Sequence, residues 1–230
     1  MTIKLPVSEI FGPVWQGEGP HAGRRCAFLR LGLCNLACEW CDTPYTWDKS
    51  RFDVHAECPP LTSFQVLNTL AVQPVDLLIL SGGEPLLHAT NPVLVDVVQT
   101  WTQTWGRLVD VETNGTMAVP AWADLVDLFV VSPKLWTGGP EKRRIRPERL
   151  EAWASQENAI FKVVCQTPEQ VAELAGASWA EPARTWVMPE GRSRDELLAH
   201  AGAIEGAVAE HGFHFTLRQH TLMHGDERGH

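Results

Sequence analysis

Positive charge is scarce in this chain of 230 residues: 19 Lys and Arg stand against 28 Asp and Glu, a formal net charge of −9. A nucleic-acid footprint is basic and clustered, so a nucleic-acid partner is not expected. One run, "EKRRIRPER" at 141–149, goes against the balance. It reads as a solvated loop and helix start, or as a mobile loop near an anionic group. Long apolar stretches are also missing. The longest, around "LLIL" and "LFVV", reach about six residues, where a membrane-spanning helix needs roughly 20. The opening "MTIKLPVSEIF" has no apolar core of a secretory signal and carries Pro6, Ser8 and Glu9. Internal repeats and low-complexity tracts are absent. A cytoplasmic protein without a membrane partner is expected, and in that compartment the six cysteines are not expected to form disulfides.

What is present alternates. Apolar runs at 26–31, 75–80, 107–112, 127–132, 159–164 and 184–188 read as strands, with a last strand at 213–220. Helical patterns lie between them. "NPVLVDVVQTW" has Pro92 in a first-turn position. A short helix is expected over 119–126. "TPEQVAELAG" offers Thr167 as cap and Gly176 as stop, and 193–212 offers Ser193 with Glu196 three residues on. Alternating strand and helix predicts a parallel α/β sheet with right-handed crossovers. Six or seven strands are too few for a closed eight-stranded barrel. The fold expected is a partial (β/α)6-type barrel or open sheet, one domain over 1–230. Functional loops should gather at the C-terminal ends of its strands.

Those ends carry the chemistry. The first strand runs into "GLCNLACEWCD" at 32–42, with Cys34, Cys38 and Cys41 in a C-x3-C-x2-C spacing. Offsets of four and seven bring three thiolates to one side even of a roughly helical turn. Thiolates hold iron–sulfur clusters, and three ligands on a four-iron cluster leave one iron open to a small molecule. A zinc site completed by His55 or Cys58 remains the alternative. Cys26, Cys58 and Cys165 otherwise read as buried small hydrophobes. The next strand ends in "SGGEP" at 81–85, where two glycines let backbone approach a ligand closely. "ETNGT" at 112–116, "SPK" at 132–134 and "MPEG" at 188–191 end three more.

The cysteine triplet followed by a GGEP loop resembles the radical S-adenosylmethionine superfamily, with Trp40 in the aromatic place before the last cysteine. The longer stretch "GPVWQGEGPHAGRRCAFLRLGLCNLACEWCDTPYTWD" at 12–48, with "ETNGT" and "SPK", is similar to the 7-carboxy-7-deazaguanine synthase family of 7-deazapurine and queuosine biosynthesis. The likeness is strong over about 9–134 and loose beyond. It implies a lyase that converts 6-carboxy-5,6,7,8-tetrahydropterin to 7-carboxy-7-deazaguanine with loss of ammonia. It further implies one 4Fe–4S cluster on Cys34, Cys38 and Cys41, S-adenosylmethionine on the open iron, Mg2+ on Thr43, a homodimer, and a flavodoxin-like or other one-electron reductant. A 5′-deoxyadenosyl radical would take hydrogen from C6 of the pterin, after which the ring contracts.

Carried over residue by residue, Trp15, Gln16, Gly17, Glu18, Arg30 and Ser81 become substrate contacts. Gln16 both donates and accepts, Glu18 accepts from ring N–H and NH2 groups, and Arg30 offers a fork to a carboxylate or carbonyl. Gly83, Glu84, Glu112, Asn114, Ser132, Pro133 and Lys134 become cofactor contacts, and Met188, Pro189 and Glu190 border the adenine. Asp42 rivals Thr43 as a magnesium ligand, but at a tight turn it is expected to bond backbone amides. The ending "LRQHTLMHGDERGH" at 217–230 matches only loosely. Two readings stay open for it: a cover that brings Gln219 or His220 to the substrate, and a frayed tail. Two other functions also stay open: an activase for a glycyl-radical partner, which needs neither "QGEG" nor "CDT", and a non-enzymatic zinc or iron–sulfur module, which needs none of the strand-end set. Ten tryptophans serve the core or an interface.

Overall fold

The computed structural model describes residues 3–225 and 227–229. Among them, nine strands form one sheet: β1 (Leu5–Trp15), β2 (Arg25–Leu31), β3 (Pro60–Leu61), β4 (Leu77–Gly82), β5 (Leu108–Thr113), β6 (Leu128–Val131), β7 (Ala159–Cys165), β8 (Thr185–Pro189) and β9 (His214–Phe215). Their order is β3-β1-β2-β4-β5-β6-β7-β8-β9. From β2 to β9 every neighbouring pair is parallel, while β1 runs antiparallel to β2 and β3. The edge strands do not pair with each other, so the sheet is an open, mostly parallel partial barrel, as expected.

Two expectations about strands need correction. The 11-residue β1 was not anticipated, because Pro6, Gly12 and Pro13 punctuate it. Register shifts between Val7 and Glu9 and between Phe11 and Val14 absorb those residues without ending the pairing. The expected last strand at 213–220 shrinks to His214–Phe215, and a helix, α8 (Gln219–His224), takes over. Likewise the helix expected at 119–126 is a single 3-10 turn, Ala123–Leu125.

Helices α1 (Val54–Glu57), α2 (Ser63–Ala71), α3 (Pro92–Gln99), α4 (Glu141–Arg144), α5 (Pro147–Ala154), α6 (Pro168–Ala175) and α7 (Arg194–Glu210) join the strands. Thr167 and Ser193 cap α6 and α7 as the sequence suggests, and Ser193 closes a capping box with Glu196; Pro92 opens α3 as expected, with Asn91 as its cap. Thr62 and Gln65 form a second capping box on α2, a helix the periodicity did not disclose. No described helix is long and apolar enough to cross a membrane.

Alternate strand residues serve two faces. Leu29, Leu80, Val111, Phe129, Phe161 and Val163 join Leu70, Val97, Leu150, Leu174 and Ile204 of the helices in the main core. Each such fully buried side chain contributes about 1.5–3 kcal/mol. The other face carries a smaller apolar cluster, which includes Cys26, Phe28, Leu77 and Ile79. Cys26, Cys58 and Cys165 are all buried, as expected.

Candidate active site

The parallel strands deliver their C-terminal loops to one edge, and a cavity opens there over the second face. Cys34, Cys38 and Cys41 line it together with Gln16, Glu18, Arg30, Ser81, Glu112, Asn114, Ser132 and Lys134. Trp15, Gly17, Thr43, Gly83, Met188, Pro189, Glu190 and His220 also reach it. Glu84 and Pro133 do not line it.

The cysteine segment is an irregular loop rather than a helical turn. It is held by other means: Ala37 bridges to Gly138, and Thr137 Oγ1 accepts from the Glu39 amide at 3.0 Å. Two of the three sulfurs accept N–H groups. The Leu36 amide donates to Cys34 Sγ at 3.4 Å and Trp47 Nε1 donates to Cys41 Sγ at 3.3 Å. Donors of this kind tune the potential of a cluster held by such thiolates. Burial pushes the Cys34 thiol up to about 12 and moves Cys38 in the same direction. His55 is exposed and Cys58 is buried with its sulfur toward the Thr46 carbonyl, so neither faces the cavity. Among the described residues no three His, Cys, Asp or Glu converge as ligands of a single metal ion.

The two glycines of "SGGEP" meet the chain's own backbone. A Cβ on Gly82, whose φ is +142°, would collide with Leu31, and one on Gly83 would collide with the Leu33 carbonyl. Close approach is real here, but it locks this loop against the cysteine loop, where Leu33 itself takes φ +73°. Glu84 completes the lock from behind. Its buried carboxylate accepts from Thr113 Oγ1 at 2.8 Å, the Asn114 amide at 2.7 Å and the Leu86 amide at 3.0 Å. Burial pushes its carboxyl up to about 6.

Most of the charge on the cavity wall is paired. Glu18 accepts from Lys162 Nζ at 2.5 Å and from Arg218 Nε at 3.0 Å. Burial alone would raise the Glu18 carboxyl, but the ammonium of Lys162 and the guanidinium of Arg218 override it and hold the group well below the usual carboxylate range. Lys162 also reaches Glu112 at 3.4 Å, whose other oxygen accepts from Ser81 Oγ at 2.7 Å. Gln16 Nε2 approaches the same carboxylate at 3.5 Å. Arg30 donates through Nε to Glu9 at 2.9 Å, leaving the rest of its fork on the cavity side. Lys134 Nζ donates to Ser132 Oγ at 2.8 Å, and Asn114 Nδ2 donates to Asn35 Oδ1 at 2.9 Å.

Arg218 ties three loops together. Besides Glu18 it donates to the Gly191 carbonyl at 3.0 Å and to Asp42 Oδ2. Asp42 therefore pairs with an arginine 176 positions away rather than with turn amides, a correction that follows from the strength of a charge-assisted contact. The same segment settles the reading of the tail. The Gln219 amide donates to Gly17 O at 2.9 Å, and α8 seats His220 against Gly17 so closely that a Cβ there would collide with Nδ1. Burial lowers the His220 pKa. Arg228 stacks over the Tyr45 ring at 3.4 Å and pairs with Glu57 at 3.0 Å. The described part of the tail covers the cavity; Asp226 and His230 lie outside the described residues.

Sequence reasoning missed Lys162 and Arg218. A lone lysine inside "AIFKVVC" was the available sign, since a charge amid a buried strand must have a partner. Nothing local marks Arg218.

Residues 16–129 match the model of a 4Fe–4S single cluster domain. Curated relatives named 7-carboxy-7-deazaguanine synthase cover nearly the whole chain. The protein from Rhodospirillum rubrum is 35% identical over 95% of this chain and 92% of its own. That from Pyrobaculum aerophilum is 32% identical over 99% and 98%, and that from Halobacterium salinarum 31% over 96% and 91%. The crystal structure of QueE from Escherichia coli superposes with a TM-score of 0.67 at 22% identity, covering 94% of this chain and 95% of that one, a likeness of fold.

Proposed function

The chain belongs to the 7-carboxy-7-deazaguanine synthase family, and from that premise we propose that it converts 6-carboxy-5,6,7,8-tetrahydropterin to 7-carboxy-7-deazaguanine with release of ammonia, a step of 7-deazapurine biosynthesis. The observation that carries the reading is the Glu18 carboxylate, clasped by Lys162 and Arg218 on the cavity that Cys34, Cys38 and Cys41 also line. An activase or a bare metal module has no use for that clasp, and family membership displaces both.

The donor set fits a 4Fe–4S cluster: three cysteines share one cavity, and two of their sulfurs already accept N–H groups. When bound, the cluster with S-adenosylmethionine supplies the one-electron chemistry that begins hydrogen abstraction from the substrate. The chain's own part is binding and orientation. Gly83, Asn114, Ser132 and Lys134 would hold S-adenosylmethionine, with Glu112 near its ribose. Glu84 and Pro133 would act from behind the wall, the former by fixing the Gly82–Gly83 turn. Thr43, buried beside Cys41, would offer Mg2+ an oxygen ligand. Asp42 is committed to Arg218 and is not needed as a second one.

Gln16, Glu18 and Arg30 would grip the pterin, with Ser81 on the floor and Trp15 and Gly17 at the rim. Glu18 stays ionised across the working pH range and so accepts from the pterin's N–H and NH2 groups throughout. Lys162 holds Glu112 and Glu18 at a fixed separation, and fixed groups lower the entropic part of a barrier. The α8 segment and His220 close one side against water. A cytoplasmic homodimer fed by a one-electron reductant completes the proposal.

The test is an anaerobic assay. Reconstituted protein, dithionite, S-adenosylmethionine, Mg2+ and the carboxytetrahydropterin are combined and the products weighed by mass spectrometry. A 7-carboxy-7-deazaguanine product is expected; its absence with an intact cluster would sink the assignment.

A further inference from the structure

The strand β1 changes faces partway along. Leu5 and Val7 are buried in the main core with the helices. In a regular strand Glu9 would follow them to that side. The register shift between Val7 and Glu9 inserts one extra residue, Ser8, and reverses the alternation. Ile10 then takes the core side, while Glu9 and Phe11 turn to the cavity side. There Glu9 lies opposite Arg30 in register, and Phe11 stacks on Phe28 with ring centroids 5.0 Å apart. Bulges beside active sites serve to re-aim a side chain, and the one re-aimed here is a carboxylate.

Glu9 does not line the cavity, so what it does there it does through a neighbour. Its Oε2 accepts from Arg30 Nε at 2.9 Å and from the Tyr45 hydroxyl at 2.9 Å. The Arg30 guanidinium also lies over the Phe11 and Phe28 rings, 5.8 and 6.0 Å from their centroids. Held at Nε and along its face, it keeps Nη1 and Nη2, and among the described residues neither donates a hydrogen bond. Lys162, Arg218 and Lys134 of the same wall are engaged with groups of the protein. Arg30 therefore presents a fork that a carboxylate can meet with two parallel bonds.

Tyr45 is fixed in turn. It follows Thr43 by two positions and Cys41 by four, in a turn that Thr46 closes by donating to Thr43 O through its amide at 3.0 Å and its hydroxyl at 2.7 Å. Burial pushes the Tyr45 phenol up, so it remains a donor across the working pH range. Glu9 thus ties the direction of the Arg30 fork to the loop that carries the cysteines. We propose that Glu9 and Tyr45 are positioning residues that, through Arg30, set where a substrate carboxylate sits and make the cavity select for it. The inference rests on the pterin reading above and names the groups behind its selectivity for the acid.

The probes are the carboxytetrahydropterin and tetrahydropterin, which lacks the carboxylate. Each is titrated calorimetrically, without oxygen, into reconstituted holoprotein with S-adenosylmethionine. The wild type should prefer the acid by roughly 30-fold, the worth of a charge-assisted pair of bonds. Glu9→Ala should weaken binding of the acid about tenfold and leave tetrahydropterin unchanged, while Tyr45→Phe should cost the acid about threefold. Glu9→Gln, which keeps an acceptor in the same place, should stay within about threefold of the wild type. In an Arg30→Met background the preference should be gone and Glu9→Ala should add nothing. Iron content and S-adenosylmethionine affinity should be unchanged in every Glu9 and Tyr45 variant, which separates positioning from damage to the fold. A wild type that binds the two pterins alike overturns the proposal. So does an unchanged preference in Glu9→Ala or Tyr45→Phe, an equal loss for both pterins, or a Glu9→Ala effect that persists in Arg30→Met. A wild type that prefers the acid but makes no product with an intact cluster contradicts the proposed function and leaves this proposal standing.

Discussion

The two faces of the sheet are made by the same strands, one residue in two, and they are built on opposite rules. On β7, Phe161 and Val163 point into the helical layer, while Lys162 between them points into the cavity. On β4, Leu80 packs under the helices and Ser81 faces Glu112. The helical face is held by apolar area, which tolerates many sequences of similar volume. The cavity face is less shielded from water, with Glu18, Arg30 and Glu112 half-buried, and it carries those three charges together with buried Lys162 and Arg218. Each of these charges is kept only because an opposite one meets it. A fold can therefore be stable for one reason and active for another within a single strand.

Removing the cluster tests the cavity face most severely. Cys38→Ala should give a protein that reconstitutes without the brown absorbance of the cluster and makes no product; retained colour and turnover would exclude the ligand set. Adjacent residues of β7 separate the two faces. Phe161→Ala should cost ~3–5 kcal/mol of stability, with kcat per folded molecule unchanged. Lys162→Met strips a counter-ion from Glu18 and Glu112; it should cost kcat/KM about 100-fold through misplacement of those carboxylates, beyond its effect on melting. Equal kinetics in the two variants would erase the distinction.

A smaller effect sharpens the picture at the tail. Arg218→Lys keeps the charge but loses the fork that spans Glu18, Gly191 and Asp42. KM for the pterin should rise about tenfold with kcat nearly kept, since a fork and a point charge are not equivalent. An unchanged KM would remove Arg218 from the positioning of Glu18.

The smallest effect lies behind the wall. The Glu84 carboxyl is pushed from 4.5 to about 6 by burial. The folded chain therefore takes up that proton at a higher pH than the unfolded chain. The stability it contributes is fully present below pH 4.5 and is lost as pH rises through 6. A displacement of about 1.5 in pKa corresponds to ~2 kcal/mol. Unfolding of wild type and Glu84→Gln at pH 4.5 and 7 should show the wild type gaining on the variant by up to that amount at the acid end. A constant difference would contradict it.

The sequence made one side of this picture plain and hid the other. Cys34, Cys38, Cys41, "SGGEP", "ETNGT" and "SPK" were legible because each is a local pattern at the end of an apolar strand. Parallel topology then brings all such ends to one edge. The strand β1 was not, because prolines and a glycine mask a pairing that bulges make possible. Lys162 and Arg218 were not, because a pairing partner 144 or 200 positions away leaves no trace in either neighbourhood. The role of Gly82 and Gly83 was half legible. Glycine signalled close approach, but only the packing shows that Leu31 and Leu33 are what come close.

The most direct measurement is an anaerobic crystal structure with the cluster, S-adenosylmethionine and the carboxytetrahydropterin bound. The account predicts iron on the sulfurs of Cys34, Cys38 and Cys41, and the pterin between the Gln16–Glu18 loop and Arg30, with Lys162 still holding Glu18. A cluster on other residues, or a pterin bound away from Glu18, would contradict it.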